Sequence, residues 1–189
     1  MENFVSQYFS LKHEWKSLVN KTSQEQIKIF INHILFNQHI NSFEVIEWGD
    51  LTDFAGIQEK LISVQSSFIQ EANSNLDTII PLFEDIFYRL KALLTSEDLD
   101  ITFISIPPEA SAQKLKFIID SFEKELQLRK LVIHKLQSYQ YLHSSHEVLV
   151  TIAATWSSML YTNDLALSSV EQFLGFELSA LKLQKITKK

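Results

Sequence analysis

Apolar residues along this chain recur at steps of three and four, the spacing that keeps side chains on one face of a helix. The longest such stretch follows Pro107 and Pro108 and runs from Glu109 to His143, 35 residues without Gly or Pro, enough for a helix of about 50 Å. Leu115, Ile119, Phe122, Leu126, Ile133 and Leu136 form its seam, with Arg129 standing where the rhythm asks for an apolar side chain. A second stripe of Leu128, Val132, Tyr139 and Leu142 joins it in the C-terminal half. A helix with two apolar stripes packs against more than one neighbour.

The other segments follow the same rule. Phe4, Tyr8, Leu11, Trp15 and Leu18 mark a first helix, and Ser23-Gln24-Glu25-Gln26 has the form of a capping box that restarts the chain into Ile27, Phe30, Ile31, Ile34 and Leu35 as far as Gln38. The period is lost over 37–53, where residues 44–50 read as a connector pinned by Trp48. Asp50 or Thr52 can cap the next helix, whose Phe54, Ile57, Leu61, Val64 and Phe68 repeat the coiled-coil spacing. Asn73, Ser74 and Asn75 weaken it. Asp77 or Thr78 can open another helix with Pro81 in its first turn, through Leu82, Phe83, Ile86, Phe87, Leu90, Leu93 and Leu94.

Ile101 to Ile106 alternates with period two and predicts a short extended segment, a hinge over 96–108 between an N-terminal helical region, 1–95, and a C-terminal one, 109–189. Beyond the long helix, Ser144-Ser145 precedes a helix carrying Leu149, Ile152, Trp156, Met159 and Leu160. Ser169-Val170-Glu171-Gln172 matches a second capping box, opening a last helix through Phe173, Leu174, Leu178 and Leu181. Lys182, Lys185, Lys188 and Lys189 end it, where positive charge complements the helix dipole.

Composition narrows the class. Three Gly and three Pro leave few of the turn residues a sheet needs, and 46% hydrophobic against 21% charged residues suffices for a core. The expected fold is all-α, an elongated helical bundle with coiled-coil segments. Without cysteine there are no disulfides, thiolate nucleophiles or Cys-containing zinc sites. The longest uncharged run, Val148 to Asn163, is 16 residues long and rich in Ser and Thr, too short and too polar for a membrane span. The N-terminal residues lack the basic flank and apolar core of a signal peptide and read as part of the fold. Residues 1–100 carry a net charge of −8 and residues 101–189 of +2, so direct DNA contact is not expected of the first half.

Reactive chemistry is sparse. Gly49, Gly56 and Gly175 are too far apart for a phosphate loop. His143, His146 and Glu147 form a metal-like cluster that reads as a solvated helix junction, and the adjacent carboxylates Glu84-Asp85 and Glu97-Asp98 point in different directions on a helix. Asn20-Lys21-Thr22 matches a glycosylation sequon, which carries little weight without a secretion signal. No catalytic residue, metal or cofactor is expected. The 54–68 and 115–136 seams either pack on each other or meet a separate chain. With 14 Phe and 3 Trp and no catalytic motif, partner-helix binding is the preferred class.

Residues 15–90 resemble a family of fungal inner-kinetochore accessory subunits, the Fta-four type of fission yeast and Nkp-one type of budding yeast, within the constitutive centromere-associated network. Trp15, Gln26-Ile27, Trp48, the Ile57, Leu61, Val64 and Phe68 helix, Asn73, Asn75 and Ile86-Phe87-Tyr88-Arg89-Leu90 carry the resemblance. It implies a non-enzymatic nuclear subunit of the kinetochore that serves chromosome segregation in cell division. Such a subunit pairs with a smaller helical partner through coiled-coil segments and docks on the COMA assembly at the centromere. On that reading Phe54, Ile57, Leu61, Val64 and Phe68, or Leu115, Ile119, Phe122, Leu126, Ile133 and Leu136, carry the heterodimer seam. The alternative is a cytosolic helical adaptor or tethering subunit of another assembly. A small-molecule site in a bundle core is the third reading, with Arg129 as its polar candidate.

Overall fold

The computed structural model describes residues 2–42, 56–95, 103, 105–138 and 145–187, and among the described residues every regular element is a helix. These are α1 (Glu2–Ser17), α2 (Gln24–Ser42), α3 (Ile57–Asp77), α4 (Ile79–Thr95), α5 (Pro108–Ser138), α6 (His146–Ser158) and α7 (Asp164–Thr187). The protein is all-α. The expected connector with Trp48, the helix end at 139–143, residue Phe54 and Lys188 and Lys189 lie outside the described residues. Ile101, Thr102 and Ile104 of the expected extended segment lie outside them too.

Two of the expected helix starts are displaced. The chain does not restart at Ser23: a π-helical turn, Leu18–Ser23, carries α1 into α2 without a break. The Ser23 hydroxyl is turned back into that turn, donating to the carbonyl oxygens of Leu18 at 2.6 Å and Val19 at 3.2 Å, so it is not free to cap. Likewise Ser169-Gln172 lies inside α7. The cap there is Asn163, whose Oδ1 accepts from the Ala166 amide at 2.8 Å, and Glu171 serves contacts to α1 instead.

Other boundaries fall where the residues place them. Thr78 separates α3 from α4 and donates its hydroxyl to the Asn75 carbonyl at 2.7 Å. Pro81 is the third residue of α4, where its missing N–H would have had no intrahelical partner. Gly56 precedes α3 with φ of 76°, a left-handed backbone that glycine adopts without steric cost. Ser145 caps α6, accepting from the Val148 amide, and Met159 ends it in the left-handed region at φ 45°.

Aromatic rings from four helices meet at the centre. Trp15 of α1 lies 4.7 Å from Phe83 of α4 and 5.1 Å from Phe122 of α5, edge to face, and Phe83 lies 5.8 Å from Trp156 of α6. All four side chains are buried. Trp15 and Phe83 precede the 96–108 segment and Phe122 and Trp156 follow it, so both halves of the chain fill one core, with α4 packed directly on α5. Removing one such ring costs about 3–5 kcal/mol. By contrast α3 packs along α2 and meets α4 at their junction, and Val64 and Phe68 on its other flank are each 45% exposed.

Candidate functional site

The polar residue flagged on the long seam is wholly buried, with both terminal guanidinium nitrogens engaged and Nε left without a hydrogen-bond partner. Arg129 donates Nη2 to Glu125 one turn earlier on α5 and Nη1 to the carbonyl oxygen of Trp156 on α6, while its guanidinium stands 4.6 Å from the centre of the Trp156 ring. Glu125 in turn accepts from the Tyr161 amide at 2.8 Å, just past the end of α6. The Trp156 indole N–H donates to the Ser23 hydroxyl at 3.1 Å, which extends the network to the π turn. Burial pulls the Arg129 guanidinium below its ordinary value, and Glu125 opposes that shift. The pair thus fastens the C-terminal end of α6 to α5.

A second network joins α1 to α7. Tyr8 donates its hydroxyl to Glu171 at 2.9 Å, Lys12 reaches Glu171 at 2.6 Å and Asp164 at 3.0 Å, and Lys16 pairs with Asp164 at 2.9 Å. Burial, and then the Glu171 carboxylate, raise the Tyr8 hydroxyl well above the usual phenol range. The bonds to Lys16 and Lys12 hold the exposed Asp164 carboxyl below the usual carboxylate range. Glu177 of α7 is also buried and accepts from the amide and hydroxyl of Ser105. In the α1–α7 network the ionisable groups face one another across a helix contact, whereas Arg129 and Glu125 pair along α5 and reach past it through the Trp156 carbonyl and the Tyr161 amide.

Surface placement separates the two candidate seams. On α5, Phe122, Leu126, Ile133 and Leu136 are core residues, and Leu115 and Ile119 are partly buried against that core. The chain's own helices fill this seam, because α4, α6 and α7 all pack on α5. The sequence leaves two alternatives open for these six side chains; each of the six lies in or against the chain's own core. On α3 the buried stripe is Gln65, Ile69, Ala72 and Leu76. The seam read from the sequence lies beside it: Ile57 and Leu61 are half-buried, and Val64 and Phe68 are each 45% exposed.

Neighbouring groups hold the α3 face in place. Gln65 donates to the His33 carbonyl oxygen at 2.9 Å and contacts the His33 ring nitrogen, and Phe68 stacks on that ring at 5.5 Å. Phe36 of α2 is half exposed on the same helix pair. Sequence reasoning passed over a further apolar surface, a groove between α5 and α6 that includes Leu131, Val148 and Tyr161. Its signal was the second stripe of α5, Leu128 and Val132, both of which line it.

Among the described residues no three His, Cys, Asp or Glu side chains converge as a metal site would require, and no helix is long and apolar enough to cross a membrane. His146 and Glu147 open α6, while His143 lies outside the described residues. Comparison with protein-family models, curated proteins and solved structures finds no significant match to this chain.

Proposed function

We propose that this chain is a non-enzymatic helical scaffold subunit that holds a partner helix against the open flank of α3. The observation that supports this reading is the exposure of Val64 and Phe68 beside a separate buried stripe on the same helix. A helix apolar on two faces, with one face satisfied by α2, leaves the other available to a second chain. The buried ionisable groups described above favour a scaffold over a catalyst, since they are consumed in holding helices together.

The resemblance to inner-kinetochore subunits supports one address for such a scaffold, a nuclear centromere assembly with a smaller helical partner and the COMA assembly. Trp15, Ile27, Ile86, Phe87 and Leu90, which carry much of that resemblance, are core residues here, and Arg89 is paired with Glu14 and Asp85. Support for the kinetochore address therefore rests on the spacing of core positions. The experiment is affinity purification of the tagged chain from its own cells with mass spectrometry of what co-purifies. Near-stoichiometric centromere subunits are expected; a different stable partner set would keep the scaffold and overturn the address.

A further inference from the structure

Gln65, 5% exposed, is the polar member of the buried stripe on α3. Its Nε2 lies 2.9 Å from the His33 carbonyl oxygen and 2.9 Å from Nδ1 of the same residue's ring, so one amide ties α3 to α2. The carbonyl oxygen can only accept, which fixes the amide with Nε2 toward His33 and one hydrogen for each acceptor. The ring must then accept at Nδ1 and carry the proton of the neutral imidazole on Nε2. Phe68 stacks on this ring, with centroids 5.5 Å apart and planes 26° from parallel.

Protonation of His33 sets a second N–H against the amide. Turning the amide over gives no relief, because Oε1 would then face the His33 carbonyl oxygen. Either way a buried amide loses a partner. A positive ring gains something from the Phe68 face, but at a half-exposed site that attraction is the smaller effect. Nearby charge does not reverse the sign. No position three or four residues from His33 on α2, or from Gln65 on α3, carries a charged side chain. Glu25, Lys28 and His39 of α2 and Glu59, Lys60, Glu71 and Asp77 of α3 are exposed. So are Lys21 of the π turn and His146 and Glu147 of α6, the other elements that pack on α2. On α4, which meets α3 at their junction, Glu84, Asp85 and Arg89 sit in ion pairs and Lys91 lies over the Phe87 ring.

We propose that His33 is a proton-operated catch on the α2–α3 pair. Neutral, it holds Gln65 and backs Phe68; protonated, it loosens α3 and releases what the flank with Val64 and Phe68 binds. The release step rests on the α3 partner reading above, and the catch itself does not.

The test is hydrogen–deuterium exchange of the purified chain at about pH 7.5 and about pH 5.5, on either side of the ordinary imidazole value, corrected for the intrinsic pH dependence of exchange. In peptides of α3 the corrected rate is expected to rise in acid about threefold or more over that of His33→Asn, with a ceiling of about tenfold one pH unit below the ordinary value. The Asn Oδ1 stands in for Nδ1 as an acceptor and does not titrate. Gln65→Glu reverses the sign, because in acid either the ring donates to the carboxylate or the carboxyl donates to the His33 carbonyl oxygen. An equal rise in the parent and His33→Asn, or acid loosening that persists in Gln65→Glu, would overturn the proposal. The partner is read separately. What the tagged parent chain holds at the higher pH is washed at the lower, which is expected to strip it from the parent and leave it on His33→Asn. A partner that stays on the parent while its exchange loosens would overturn the release step. A chain that loosens in acid and recovers no partner at either pH keeps the catch and sinks the α3 reading instead.

Discussion

The guanidinium of Arg129 both covers the Trp156 ring, 4.6 Å from its centroid, and donates to the carbonyl oxygen of the same residue. A side chain of α5 thus takes up a C-terminal carbonyl of α6, a group that the helix itself leaves without a partner. Glu125 neutralises the charge that does this and accepts the Tyr161 amide beyond the helix end. The ion pair is accordingly a fastening between helices.

Removing one member leaves the other charged and buried. Arg129→Leu is expected to cost about 3–5 kcal/mol of stability, measured by urea unfolding. Adding Glu125→Leu should return part of that loss, because the orphan carboxylate goes with it, while the Trp156 carbonyl and Tyr161 amide still lack their partners. Strict additivity of the two losses in the double-mutant cycle would contradict the pairing.

Ser23 joins the π turn to α6 through the Trp156 indole N–H. Ser23→Ala leaves that buried donor unpaired, and a loss of about 1–3 kcal/mol is expected. A stability within experimental error of the parent chain would show that the indole finds another acceptor.

Tyr8 titrates against the fold. Its raised value means that above the ordinary 10.0 the unfolded chain releases the phenol proton while the folded chain keeps it, so the folded state binds more protons and loses stability as pH rises. Unfolding free energies from urea titrations should fall between pH 9 and 11 in the parent chain, with a slope limited to about 1.4 kcal/mol per pH unit, and fall less in Tyr8→Phe. An equal decline in both would contradict the assignment.

The start of α7 gives a direct comparison of two caps. Asn163→Ala is expected to cost about 1 kcal/mol, and Ser169→Ala, inside the helix, to be close to neutral. The reverse order in thermal melts would restore the start read from the sequence.

The all-α class was legible because few turn residues and a sustained three-four spacing leave little else to form. So was the apolar seam of the long helix, yet whether the chain's own helices or a partner cover it was not decidable: spacing shows that a face is apolar and does not show which helix covers it. Phe122 and Phe68 look alike in sequence, and one is wholly buried while the other is 45% exposed. The capping boxes misled because the Ser23 hydroxyl bonds back into its own π turn and accepts from the Trp156 indole, while Glu171 is taken up by α1. Arg129 stood out as a polar break in the seam; its bond to Trp156, 27 residues on, is a property of packing.

The central claim is that the exposed flank of α3 binds a partner. Tagged parent chain and a Val64→Glu, Phe68→Glu double variant, expressed at equal levels, would be purified from the same cells and their partners quantified by mass spectrometry. The account predicts a stoichiometric helical partner with the parent chain and its loss from the variant, whose helix content and unfolding midpoint stay close to the parent's. A partner set retained in full by the variant would contradict it.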